Sequence, residues 1–260
     1  MMTTNLHTHT VRCRHASGAE TDYIEAAIGR GLTVLGFSDH APYLFPATAG
    51  YYSGFRMLPE SAEEYVQTLT ALRETYKGKI GLPIGYELEY YPKYFEQTES
   101  YLRKTGYDYL ILGQHFTYNE IDGIYSGSGS DDPKQLAAYT DQVIGAMNTG
   151  LFLYVAHPDV FKFTGDPAVY RKQARRLCRA AADAGIPLEI NLLGLSGGRH
   201  YPNADFWEIA GEEGVTAVLG IDAHSPAAIR DTETEKTANA LADRFGLRIC
   251  GEEFFCGFQS

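Results

Sequence analysis

The chain has 260 residues, 44% of them hydrophobic, and a formal net charge of −11. That length supports one buried core, read as a single domain over residues 1–260, and the acidic balance argues against a nucleic-acid surface; screening over about 8 Å still permits a local cationic pocket for a small anion. No apolar run approaches the roughly 20 residues of a membrane span, the N-terminus lacks a signal-peptide layout, and Cys13, Cys178, Cys250 and Cys256 show no paired spacing, so a cytoplasmic protein with reduced thiols and no membrane partner is expected.

In chain order, the first strand ends in Asn5-Leu6-His7-Thr8-His9-Thr10. Residues i and i+2 of a strand face the same way, so His7 and His9 can close on one ion. A loop carrying Cys13 and His15 leads to a helix over residues 21–30, with Ile24, Ala27 and Ile28 inward and Gly31 as its stop. Residues 33–38 form the second strand and deliver Asp39 and His40. The loop 41–59, rich in Tyr, Phe and Pro, has the length of a lid or binding loop. Ser61 and Glu64 read as a capping box for a helix with Tyr65, Leu69, Leu72 and Tyr76 on one stripe. Residues 80–86 form the third strand, ending at Glu87, and Pro92 opens a helix to about residue 105. Residues 109–113 are the fourth strand, delivering His115 ahead of a second long loop, 116–132.

Asp132-Pro133 then starts a helix to about residue 148. Residues 151–156 are the fifth strand, delivering His157-Pro158-Asp159, and Asp166-Pro167 caps a helix whose Arg171, Lys172, Arg175, Arg176 and Arg179 read as a solvated basic face. Residues 187–190 are the sixth strand, carrying Glu189 and Asn191. A loop with Gly197-Gly198-Arg199 precedes a helix over about 203–214. Residues 215–221 are the seventh strand, delivering Asp222 and His224; Ser225-Pro226 opens the last helical region, and residues 247–250 close as a short strand.

Strands alternating with helices argue a parallel sheet, and seven such units in this length favour a closed barrel over an open sheet. In a parallel barrel the C-terminal strand ends ring one face, where an active site lies. His7, His9, His40, Glu87, His115, His157, Glu189, Asp222 and His224 all fall there, with His15 close behind the first strand. Of the eight histidines only His200 lies off this set. Seven imidazoles with carboxylates exceed what one ion uses, so the supply fits two or three divalent ions. Imidazole with carboxylate suits Zn, Fe or Mn. Ions spaced by about 3.5–4 Å activate water and clamp both oxygens of an in-line displacement at phosphorus.

As an ordered set, His7-Thr8-His9, His15, Ser38-Asp39-His40, Glu87, His115, His157-Pro158 and Asp222-Ala223-His224 resemble the polymerase-and-histidinol-phosphatase (PHP) family, in spacing and length its stand-alone histidinol-phosphatase branch. The resemblance implies a distorted seven-stranded (β/α)7, TIM-like barrel with a trinuclear metal site at the C-terminal face. It implies His7, His9, Glu87 and Asp222 on the first ion, Glu87 bridging to a second held by His115 and His157, and His15, His40 and His224 on the third. Glu87 is preferred over Glu89 through Gly85-Tyr86-Glu87. Asp39 and Asp159 are read as carboxylates that orient nearby imidazoles, or as solvated loop acids. Glu189 and Asn191 match a recurrent Glu-x-Asn of the branch, or else tie the sheet to its loop. Lys162 and Arg199 stand where the branch places phosphate-binding bases, and Ser196 stands where an arginine is common. The implied activity is hydrolysis of a phosphate monoester, L-histidinol phosphate to L-histidinol and phosphate in histidine biosynthesis, with Asp222 or His224 near the acid step. Another small phosphorylated metabolite, such as a nucleotide, is the competing substrate. Tyr43, Tyr51, Tyr52, Phe55 and Tyr118 can wall an imidazole pocket, or simply pack their loops.

Overall fold

The computed structural model describes residues 2–51 and 53–258, so Tyr52 lies outside the described residues. The strands are β1 (Thr4–Asn5), β2 (Val34–Leu35), β3 (Phe37–His40), β4 (Ile84–Leu88), β5 (Tyr109–Leu112), β6 (Phe116–Thr117), β7 (Ile124–Tyr125), β8 (Leu188–Asn191), β9 (Thr216–Gly220) and β10 (Arg248–Ile249). The helices are α1 (Glu20–Arg30), α2 (Ala62–Thr75), α3 (Phe95–Thr105), α4 (Pro133–Met147), α5 (Pro167–Ala184), α6 (Leu192–Ser196), α7 (Ala204–Glu212), α8 (Pro226–Arg230) and α9 (Glu233–Arg244). It is an α/β fold. None of these helices is long and apolar enough to cross a membrane.

Pairing is parallel throughout except in the β6–β7 hairpin, which occupies the second long loop. The regular ladders are β1–β2, β3–β4–β5 and β8–β9–β10. Between them run single parallel bridges, Thr8 to Ala223, Leu112 to Val155 and Val155 to Leu188. The expected fifth strand is therefore reduced to one bridging residue. Its backbone still bonds both neighbours, Ala156 N–H to Leu112 O at 2.8 Å and Val155 N–H to Pro187 O at 3.0 Å. The extended conformation then ends at His157, whose φ of 30° precedes Pro158.

Alternation within β5 shows why the site has a floor. Leu110 and Leu112 pack into the main core with helix residues such as Ile24, Leu69 and Leu102. Tyr109 and Ile111 face the other way, into a smaller cluster with Leu6, Tyr154, Val218 and Phe255. Burial on both faces is the habit of a parallel sheet covered by helices.

Several helix starts follow the sequence. Asp132 accepts from Lys134 N–H at 2.9 Å, Asp166 from Ala168 N–H at 2.8 Å and Asn203 from Asp205 N–H at 2.9 Å, the side-chain cap that satisfies an orphan donor. Two expectations fail. Ser61 makes no side-chain cap, because Pro59–Ser61 already turn as a 3-10 segment and Ser61 itself is helical. Glu64 is taken instead by Arg12 at 2.8 Å. Pro92 lies in a turn closed by Tyr94 N–H to Tyr91 O at 2.8 Å, and the helix begins only at Phe95. The arginines of α5 are not merely solvated: Arg171 pairs with Asp205 and Glu208, Arg175 with Glu212 and Glu213, Arg179 with Glu213, and Arg176 with Asp141. They stitch α5 to α7 and α4 as exposed pairs that solvent screens.

Candidate metal centre

The strand register brings the polar set together around one carboxylate. Glu87 of β4 stands opposite His40 of β3 and is 1% exposed. Its Oε1 lies 2.8 Å from His157 Nε2 and 3.5 Å from His115 Nε2. Its Oε2 lies 2.8 Å from His40 Nδ1 and 3.6 Å from both His7 Nε2 and His9 Nε2. Asp222 forms a second focus, with Oδ1 at 3.1 Å from His9 Nε2, 3.5 Å from His7 Nε2 and 3.4 Å from His224 Nδ1. His224 Nε2 lies 2.9 Å from His15 Nε2. Donor atoms gather within 4.8 Å in the trios His7–His9–Glu87, His7–His157–Asp222 and His9–His40–His224.

The donor set fits cations on a direct structural ground. His7 Nε2, His9 Nε2, His40 Nδ1 and Glu87 Oε2 are buried with no hydrogen-bond partner. Buried polar atoms are ordinarily paired, and leaving one unpaired costs on the order of 1–3 kcal/mol. Four such atoms converging on common points are the signature of ligands.

The charges of the side chains at the site offset one another. Burial opposes protonation of His7, yet Glu189, Asp222 and Glu87 hold it well above the usual imidazole range. His9, with burial again opposing, is raised to about 9 by the adjacent Asp222, Asp39 and Glu87 carboxylates. Burial drives His40 well below its ordinary value and His224 down to about 3, the latter with repulsion from His9. Against burial, His115, His40 and His7 keep Glu87 far below the usual carboxylate range, as His7, His9 and His224 do Asp222.

Other carboxylates set the imidazole orientations. Glu189, fully buried, accepts from His7 Nδ1–H at 2.7 Å and from the His157 backbone N–H at 3.0 Å. Asn191 donates to Glu189 at 3.0 Å and to Asp222 at 3.1 Å, while its Oδ1 caps α6 through Gly194 N–H. Asp39 lies 3.4 Å from His9 Nδ1 and accepts from the His40 N–H and from Thr10 Oγ1. Glu89 accepts from His115 Nδ1–H at 3.0 Å. Such partners fix which ring nitrogen faces an ion. Asp159 is a correction: its carboxylate binds Asn203 N–H and Trp207 Nε1–H rather than an imidazole, anchoring the segment before α7.

Backbone and space are specialised at the same places. His157 and Asp222 have φ of 30° and 56°, left-handed values that residues with a Cβ adopt at a cost. Gly113 abuts the Glu87 carboxylate and Gly220 that of Glu189, so closely that a methyl group would overlap either. We expect Gly113→Ala to fold, with zinc bound at least about tenfold more weakly, since displacing a supporting group costs roughly 10–100-fold; a competition titration reads it, and unchanged affinity would contradict the packing argument.

A cavity of about 500 Å³ opens beside this cluster, lined by His15, His40, His115, His157, Asp222 and His224, and by Phe55, Phe116, Tyr125, Val160, Leu193, Arg199 and Tyr201. Arg199 donates to the Tyr201 hydroxyl at 2.6 Å. Lys162 is not among the lining residues; it is exposed, its stem against Gly129. Tyr118 also stands away from the lining, 53% exposed. Tyr43 is buried in the core and Tyr51 bonds Glu120, leaving Phe55 as the cavity residue among the described loop aromatics proposed. His200 binds the Val160 carbonyl. Sequence reasoning missed Arg56, 2% exposed behind His115. Its one available signal was a lone cation in an aromatic loop.

Parallel strands alternating with helices, and imidazoles and carboxylates gathered at the strand ends, define an α/β protein with a candidate polynuclear metal centre. The PHP domain model matches residues 5–192, and the chain belongs to that family. A probable histidinol-phosphatase of Deinococcus radiodurans is 31% identical over 241 residues, covering 86% of each chain. A probable histidinol-phosphatase of Schizosaccharomyces pombe is 26% identical over 252 residues, 85% of this chain and 80% of that one. Among solved structures, the histidinol phosphate phosphatase of Lactococcus lactis, crystallised with zinc, L-histidinol and phosphate, superposes with a TM-score of 0.72 at 20% identity over 95% of both chains. At that identity the likeness establishes the fold.

Proposed function

We propose that the chain is a metal-dependent phosphomonoester hydrolase, a histidinol-phosphatase that converts L-histidinol phosphate and water to L-histidinol and phosphate. The carrying observation is Glu87, buried amid five imidazole nitrogens within 3.6 Å and beside an open cavity. The names borne by the Deinococcus radiodurans relative and the Lactococcus lactis structure support it. We read residues 1–260 as one domain whose strand segments close as a distorted seven-stranded (β/α)7 barrel, supported by the bridge of Thr8 to Ala223.

Divalent Zn, Fe or Mn, two or three ions in all, would supply the Lewis acidity that activates water and neutralises charge developing at phosphorus. His7, His9, Glu87 and Asp222 would hold one; His115 and His157, with Glu87, would hold a second; His15, His40 and His224 would hold the third. The chain does the rest. Arg199 on the cavity wall, steadied by Tyr201, pairs with phosphoryl oxygens. Phe55, Phe116 and Tyr125 present flat apolar walls to the leaving alcohol. Asp222, kept ionised by the three ring nitrogens within 3.5 Å of its Oδ1, stands with His224 where the pair can orient a water that delivers the proton to the leaving oxygen. A cavity of this size takes a small phosphorylated metabolite, not a polymer or a membrane surface. Four free cysteines suit a reducing cytoplasm.

A second reading, another small phosphate ester such as a nucleotide, is favoured by one observation: Arg199 is the sole Lys or Arg among the described residues that line the cavity, leaving recognition of the alcohol to aromatic walls indifferent to ring identity. Phosphate release across L-histidinol phosphate and a panel of sugar and nucleotide phosphates separates the two. We expect kcat/KM at least about tenfold higher for the amino alcohol ester, a margin of about 1.4 kcal/mol; a flat profile would overturn the narrower assignment.

A further inference from the structure

Three segments remote in sequence meet behind His115 around a buried guanidinium. Arg56 comes from the loop between β3 and α2, Glu89 from just beyond β4, and Glu120 from the turn between β6 and β7. Arg56 Nη1 and Nη2 donate to the two oxygens of Glu89 at 2.9 and 2.8 Å, and its Nε donates to Glu120 at 2.8 Å. A third direction is used by Ala41 O, at 2.9 Å, immediately after His40. Phe55 covers the guanidinium face, 4.6 Å from its ring centroid, and Tyr51 closes the far end of Glu120 at 2.7 Å. Arg56, Glu89 and Glu120 are 2%, 1% and 5% exposed. This is no surface ion pair.

We propose that Arg56 is a positioning residue for the metal centre: clamped by Glu120, it fixes Glu89 so that Glu89 holds His115 Nδ1–H and aims His115 Nε2 at Glu87. The inference rests on the metal-binding reading above. Only a planar fork satisfies the geometry, because a lysine ammonium cannot pair both Glu89 oxygens while also reaching Glu120 and Ala41. The cluster carries one cation against two carboxylates, and its surplus negative charge lies directly behind an imidazole that is to face dications. It also ties both long loops to a ligand, so the seating of those loops and the aim of His115 are one event.

The test uses the full chain as wild type, Arg56→Lys and Glu120→Gln, with Arg30→Lys as control. Arg30, whose side chain is likewise 2% exposed, sits on α1 and pairs with Glu235 at 2.6 Å and with the Ile229 carbonyl, none of them a residue of the metal centre. Zinc affinity is measured by competition with a chromophoric chelator, beside melting temperature, kcat and KM. We expect one zinc ion to bind roughly 10–100-fold more weakly in Arg56→Lys and Glu120→Gln, with kcat reduced and KM within about twofold. Arg30→Lys should lose thermal stability and keep wild-type zinc affinity. Wild-type-like zinc affinity in both cluster variants, whatever their melting temperatures, would overturn the positioning role and leave the metal reading standing. A wild-type chain that takes up no zinc would overturn the metal reading itself, and the proposal with it.

Discussion

Alanine at both His7 and His9 is expected to remove phosphate release by more than about a hundredfold while the chain stays folded. The two rings contribute three of the buried nitrogens that lack hydrogen-bond partners, His7 Nε2 and both nitrogens of His9. They also reach both foci of the site, Glu87 and Asp222, within 3.6 Å. A supporting group one shell away already costs about 10–100-fold when lost, so removing two direct donors costs more. The fold should survive, because the main core is built from helix-facing residues such as Leu110, Leu112 and Trp207, away from these rings. Circular dichroism checks the fold, and phosphate assay with zinc titration checks the loss. Unchanged turnover would end the metal mechanism.

Glu87→Gln is the sharper substitution, being nearly isosteric. The amide keeps the shape, loses the charge, and presents an NH2 donor to nitrogens that must themselves be ligands. Because Glu87 faces His7, His9 and His40 through one oxygen and His115 and His157 through the other, its loss should reach more than one ion. We expect zinc content to fall by at least one equivalent and kcat by more than about a hundredfold, with KM moved far less. Elemental analysis and steady-state kinetics read the two effects. A variant that loses activity but retains its full zinc would instead make Glu87 a proton-transfer group.

The gathering of His7, His9, His40, His115, His157 and His224 was legible because each stands at or shortly beyond the end of a strand segment, and parallel strands force such positions to one face. Glu87 is preferred over Glu89 on the Gly85-Tyr86-Glu87 pattern alone; in the structure Glu87 stands amid the imidazoles, while Glu89, past the end of β4, serves Arg56 and His115. What the sequence hid was three-dimensional. Arg56 and Glu120 are ordinary loop charges until two loops fold against one another. Lys162 sits at the expected spacing after His157, yet its side chain runs outward along Gly129, a matter of loop path. The Ser61 cap failed because a preceding 3-10 turn consumed the position, and the fifth strand shrank to a bridge because His157 takes a left-handed turn ahead of a proline. Local signals were sound wherever the next segment did not compete for the same residue.

Side chains from seven separated segments would share the cations, and anomalous diffraction from zinc-loaded crystals tests that most directly. The prediction is two or three peaks spaced by about 3.5–4 Å, one of them between His7, His9 and Asp222, with Glu87 touching two. Peaks elsewhere on the surface, or no anomalous density among these side chains at saturating zinc, would contradict it.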